Sequence, residues 1–379
     1  MTQPYPSLLE QLRQSSHAAD DRHNQRLAEM ASALALSGSC LRTRWQSFTP
    51  PCCSAKARSN LQRWHRFLDN PRVSAERLLN PLLRAWLGPR RCVQLALDTS
   101  IIANRFCLIS VSILIGGRAL PLINRVIARP HASVGYAAYR PLLQRARRLF
   151  SPKTRICLLA DRGFLHRELL AQLQRWHWSW RIRLKSTTRV QRGFGSTTVG
   201  TLKPAPGTAR LLKANDLLGL PGGIALGTLE DDNQTSWAVA TDNIPTVSTL
   251  FDYAKRFGIE HLFRDCKSGQ FELEKTRLND PRHLERFMMV LTLAIWVLTL
   301  QGKAVCNRRL RHLVDAHTQR GSSLLRIGRD WLLSLLQHPE RPFFALEPWH
   351  GPPPERGFAS RQEQLRHYES VSFSSVQLG

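Results

Sequence analysis

The chain has 379 residues, 42% of them hydrophobic, which is enough for a sizeable core and for two or three domains of about 100–150 residues each. Its 54 Lys and Arg outweigh 28 Asp and Glu, giving a formal net charge of +26. That excess attracts polyanions, so nucleic acid is the first expected partner and an anionic membrane surface the second, set against a merely basic surface.

The opening residues lack the basic-then-apolar pattern of a secretory leader. Four segments in 1–90 carry helical spacing: 5–17, 24–36, 59–68 and 74–87, the last stopped by Gly88 and Pro89. The stretch 38–56, with its Gly, Cys, Pro and Ser, breaks that pattern. These ninety residues are expected to form a helical DNA-binding domain, with a packing or dimerising module as the alternative.

The texture changes at Arg91. Residues 92–98 read CVQLALD, an apolar run that predicts a core strand ending in Asp98. FCLISVSILI at 106–115, bounded by Gly116 and Gly117, and ALPLINRVIA at 119–128 predict two more strands. A basic helix is expected over 136–150, then a strand over 156–160 ending in Asp161, a helix over 165–176 and an alternating strand, WSWRIRLK, over 178–185. Three strands followed by helix, strand, helix and strand predict a mixed sheet flanked by helices. Residues 187–246 are rich in Gly, Pro and Thr and are expected to form a β-rich insertion, with strands near 226–230 and 237–240.

Helical spacing returns over 250–262 and 281–302. The run FMMVLTLAIWVLTL at 287–300 is shorter than the roughly 20 residues of a membrane span and is expected to be a buried helix. Further helices are expected over 311–319 and 323–336, then a Pro- and Gly-rich stretch and a loosely held helix with a polar tail over 361–379. The eight cysteines, among them the adjacent Cys52 and Cys53, show no paired metal-ligand spacing; free thiols in a reducing cytoplasm are the simplest account.

Asp98 and Asp161 each close an apolar run. Carboxylates at the ends of neighbouring strands can converge on Mg²⁺, which takes oxygen ligands and keeps water and phosphate in its shell. The plainer alternative for either acid is a turn or cap residue. A third acid lies in YAKRFGIEHLFRDCK at 253–267. On one helix, Tyr253, Arg256, Glu260 and Lys267 would share a face, a carboxylate among phosphate-holding groups. Ordinary ion pairs on a solvated face would give the same spacing.

These residues resemble the DDE transposases of the bacterial insertion-sequence type, in the group with a Tyr-Arg-Glu-Lys signature. Tyr253, Arg256, Glu260 and Lys267 match its spacing; Asp98–Thr99 and the Asp-Arg-Gly-Phe at 161–164 match its two aspartate motifs. The resemblance covers about 91–302 and implies a ribonuclease-H-like catalytic domain, with the β-rich insertion at about 187–246 and a helical C-terminal region over 303–379. It implies that Asp98, Asp161 and Glu260 bind two Mg²⁺ or Mn²⁺ ions for DNA cleavage and strand transfer. Tyr253, Arg256, Lys267 and Arg162 would hold phosphate, and Trp237 would receive a flipped base, unless it is a core residue. The implied partners are double-stranded DNA at element ends, target DNA and a second copy on paired ends, with no membrane and a cytoplasmic, nucleoid-associated location. A nuclease of this fold without strand transfer, and a non-catalytic DNA-binding relic, remain alternatives.

Overall fold

The computed structural model describes residues 4–50, 53, 56–192, 195–217, 220–230, 235–316, 322–351 and 375–378. Five helices come first: α1 (Pro4–Ser15), α2 (Asp21–Ser37), α3 (Ala57–Asp69), α4 (Ala75–Leu78) and α5 (Asn80–Leu87). Local chemistry sets their ends. The Asp20 side chain accepts from the Arg22 N–H to cap α2, and Gly38 closes it in the left-handed conformation. The stretch expected to break the helices forms a 3₁₀ turn, Arg42–Phe48, and Leu79 divides the expected 74–87 helix into α4 and α5.

The sheet follows: β1 (Cys92–Ile102), β2 (Phe106–Ile115) and β3 (Arg118–Ala128) pair antiparallel. Gly116 and Gly117 both take positive φ, 59° and 72°, as a tight hairpin turn requires. After α6 (Tyr136–Arg147), β4 (Arg155–Ala160) lies parallel to β1; after α7 (Arg167–Arg175), β5 (Ser179–Arg183) lies parallel to β4. This is the expected ribonuclease-H-like mixed sheet flanked by helices.

Past a small hairpin of β6 (Arg189–Arg192) and β7 (Gly195–Thr198), the next strands extend the main sheet. They are β8 (Thr208–Leu217), β9 (Leu220–Thr228) and β10 (Ser236–Thr241). The last described strand, β11 (Ser375–Leu378), pairs parallel with β8, so among the described residues the sheet has nine strands in the order β11-β8-β9-β10-β5-β4-β1-β2-β3. The tail expected over 361–379 thus ends in a strand at 375–378, and the rest of that expectation lies outside the described residues. Cys52 also lies outside them, and Cys40, Cys92, Cys107, Cys157, Cys266 and Cys306 are free thiols.

Two short helices, α8 (Val247–Ala254) and α9 (Phe257–Arg264), lead to α10 (Pro281–Asn307). Asp280 caps α10 and Pro281 opens it, where a missing N–H costs nothing. The helix is long and apolar enough to cross a bilayer, but 83% of its apolar window is buried inside the protein. Trp296 Nε1 donates to the Pro121 carbonyl at 2.8 Å, which seats α10 on β3. On its other sides lie α2, α3 and α11 (Leu324–Gln337). The helix expected over 311–319 is only a 3₁₀ turn at Arg311–Leu313, and 317–319 lie outside the described residues. The buried faces of the N-terminal helices, the sheet and α10 join in one apolar cluster.

Candidate active site

Asp98 does not end its strand. β1 runs four residues further because β2 pairs with it as far as Ile102 opposite Phe106. On its other side, however, the parallel ladder to β4 stops at Leu97 opposite Ala160. Asp98 and Asp161 are therefore the next residues on two strands about 4.8 Å apart, at the carboxyl end of a parallel pair, where such a sheet opens to ligand.

The helix carrying the third acid is not continuous. Between α8 and α9 the backbone tightens: Arg256 N–H donates to the Tyr253 carbonyl at 2.9 Å and Ile259 N–H to the Arg256 carbonyl at 2.9 Å, both three residues apart. Tyr253 then stacks above Arg256, and Arg256 Nε donates to the Tyr253 hydroxyl at 3.1 Å. Arg256 Nη1 donates to Asp98 Oδ2 and Nη2 to Glu260 Oε1, each at 2.6 Å. The Tyr253 hydroxyl in turn donates to Asp161 Oδ1 at 3.4 Å. One guanidinium separates the bonded Asp98 and Glu260 oxygens, placing them at most about 8 Å apart.

This cluster is unevenly wet. The Arg256 side chain is 4% exposed, Asp98 15% and Glu260 49%. Burial pushes the Asp98 carboxyl up to about 6; Arg256 and the Thr99 N–H oppose that, while Asp161 and Glu260 add to it by like-charge repulsion. Burial also pushes the Tyr253 hydroxyl up to about 12, so it stays a donor. Burial works against the Arg256 charge, but Tyr253, Asp98, Glu260 and Asp161 outweigh it and hold the guanidinium charged.

The remaining expected site residues lie differently. Lys267 falls in a π turn, Asp265–Gly269, that breaks the α-helical phase, and its Nζ lies 3.4 Å from Glu274 rather than in the cluster. Arg162 is exposed directly after Asp161. Trp237 is 8% exposed, its ring packed against Tyr253 and Phe257 at centroid distances of 6.3 and 5.6 Å. It is a core residue here; stacking on a base would require that aromatic group to open. Sequence reading missed Phe257, whose ring backs the Arg256 guanidinium at 5.3 Å; as one more apolar residue of a helical stretch it gave no signal.

Among the described residues no group of three or more His, Cys, Asp and Glu is arranged as a ready metal cage. In donor chemistry Asp98, Asp161 and Glu260 do suit a hard divalent cation, since all offer carboxylate oxygen. The Arg256 charge now sits between two of them, where such a cation would relieve the same repulsion.

A family model described as a transposase DDE domain matches residues 104–297, more than half of the chain. Asp161, Tyr253, Arg256, Glu260 and Lys267 fall inside that span, and Asp98 lies just before it. No curated protein matches the chain. Among solved structures, a cryo-EM structure of the piggyBac transposase synaptic complex with hairpin DNA is 10% identical, with a TM-score of 0.44 over 93% of this chain and 87% of that chain. On the family match, the chain belongs to the DDE transposases.

Proposed function

We propose that the chain binds the ends of a mobile element and catalyses metal-dependent DNA cleavage and strand transfer. The observation that carries this is the single bonded cluster joining Asp98, Glu260 and, through Tyr253, Asp161. In this reading the three acids hold two Mg²⁺ or Mn²⁺ ions. Bound there, such ions would activate the attacking oxygen and stabilise the leaving one. The attacking group is water for cleavage and a DNA 3′-hydroxyl for joining.

The chain's own residues orient the DNA. Arg256, released from its acids, offers a fork to a phosphate, with Tyr253 as a neutral donor beside it and Arg162 and Lys267 as further cations. Trp237 is assigned the flipped base on condition that its packing against Tyr253 and Phe257 opens when DNA binds. The Tyr-Arg-Glu-Lys spacing supports placing the chain in that group of insertion-sequence transposases. The helices of 1–90 are assigned to element ends, the segment 91–302 to catalysis, and 303–379 to dimerisation or further DNA contact. The enzyme acts as a homodimer on paired ends and on target DNA, in the cytoplasm and on the nucleoid.

The test incubates purified protein with its element's terminal duplex and Mg²⁺ and maps the products. Asp161→Asn and Glu260→Gln should each abolish cutting while retaining end binding; cutting at the parent rate would refute the assignment. Cleavage without strand-transfer products would reduce the enzyme to a nuclease, and binding without any cleavage to a relic.

A further inference from the structure

A second basic site lies away from the acids, in a cavity of 580 Å³ between the 3₁₀ turn, α3 and the segment before α10. Arg42, Arg58, His65, Arg66 and Arg277 line it, and among the described lining residues there is no Asp or Glu. Helical spacing explains the α3 contribution. Arg58, Gln62, His65 and Arg66 fall on one outward face, while Asn60, Trp64, Phe67 and Leu68 turn inward.

Neighbouring arginines are neutralised and these are not. Arg44 Nη1 donates to Glu272 at 2.9 Å, and Arg63 lies 3.9 Å from Glu29. The guanidinium groups of Arg42, Arg58, Arg66 and Arg277 make no ion pair or hydrogen bond among the described residues. Burial lowers the Arg42 pKa with nothing to offset it, so an anion there would be stabilising. The wall is also held in place. Cys40 N–H donates to the Phe271 carbonyl at 2.7 Å and Ser39 Oγ to Glu272 at 2.9 Å, so the two chain segments that carry Arg42 and Arg277 are tied together.

We infer that this groove binds the phosphodiester backbone of one strand of duplex DNA, independently of sequence, an inference that rests on the DNA-processing reading above. Several cations along a groove fit a strand better than one free phosphate. Arg58 and Arg66 are about 12 Å apart along the helix axis at 1.5 Å per residue, three or four steps of a strand rising about 3.4 Å each. Guanidinium forks match phosphate oxygens and carry no base information.

The test measures binding of the full chain to a labelled duplex of mixed sequence, by fluorescence anisotropy, across a salt series. Loss of two phosphate contacts in Arg58→Gln/Arg66→Gln should lower the slope of log affinity against log salt by about 1.8. Arg58→Lys/Arg66→Lys should recover most of it. Arg22→Gln/Arg326→Gln removes the same charge from arginines ion-paired with Asp20 and Asp330, and should leave the slope near the parent value.

An unchanged slope in the groove variant, or an equal fall in the control, overturns the inference. Phenylglyoxal labelling of the unmutated protein is a second readout: DNA should protect Arg58 and Arg66, and equal labelling with and without DNA overturns the site even if a variant misfolds. Preferential loss of binding to anionic phospholipid vesicles, with duplex binding intact, would also overturn it. Metal-dependent cutting by the parent with an unchanged groove slope would sink this site alone. A parent that binds no duplex would sink the function too.

Discussion

Asp98→Asn should make the metal-free protein more stable above pH 6, although it removes one of the three acids proposed to hold metal. Burial pushes the Asp98 carboxyl up to about 6 from its ordinary 3.8, so holding it charged in the folded protein is unfavourable. Two units at about 1.4 kcal/mol each is about 3 kcal/mol. The sign follows from proton counting. Between about pH 4 and 6 the folded protein binds the extra proton, so the charge costs nothing below that window and its full amount above it. Asparagine mimics the neutral acid at every pH. The stability difference between variant and parent should therefore rise from near zero at pH 4 to about 3 kcal/mol at pH 7.5, cancelling other titrating groups. At about 2.1 cal/mol/K of unfolding entropy per residue, that is roughly 4 °C in Tm for a chain this long. The assay is scanning calorimetry in EDTA at matched pH values. A variant equally or less stable at pH 7.5, or a difference flat with pH, would refute the reasoning. Adding Mg²⁺ should raise the parent's Tm and not the variant's, because only the parent keeps the three-acid set.

Other predictions can be checked the same way. Arg256→Lys keeps a charge but not the fork that reaches Asp98 and Glu260 together, so the Asp98 titration should move above 6 in a pH–Tm series. Glu29 is fully buried, bonded to Arg26 and accepting from Trp64 Nε1 at 2.9 Å; Glu29→Ala strands those partners and should cost about 3–5 kcal/mol in urea unfolding. Gly302 and Gly328 sit where α10 and α11 cross, and a Cβ at either would strike the Leu324 or Leu298 carbonyl. Gly302→Ala or Gly328→Ala should therefore force the helices apart and cost about 1–3 kcal/mol or more, read as a lower Tm.

Much of the sheet was legible because its strands are apolar runs with clear stops. β2 begins and ends as read, its branched residues closed by Gly116 and Gly117. The end of β1 was not legible, because its extension past Asp98 depends on a partner, β2, rather than on its own composition. The same holds for β11, a polar segment that becomes a strand by pairing with the edge of β8. Within the site, the three- and four-residue steps from Tyr253 to Arg256 to Glu260 survived the tightening between α8 and α9. The seven-residue step to Lys267 did not, because a π turn intervenes. The groove arginines escaped notice because Arg42 and Arg277 are remote in sequence and only the spacing on α3 hinted at them.

The shared core around α10 has a consequence for how such a chain can evolve. Trp45 stacks on Phe287 at 6.0 Å and Trp86 meets Trp296 at 6.0 Å, so removing the N-terminal helices would strip the cover from the longest apolar helix. The segment assigned to element ends cannot be exchanged for another by simple fusion at residue 90. If they do read element ends, new specificity is expected to arise through surface substitutions on these helices, with the helices and the sheet inherited as one unit.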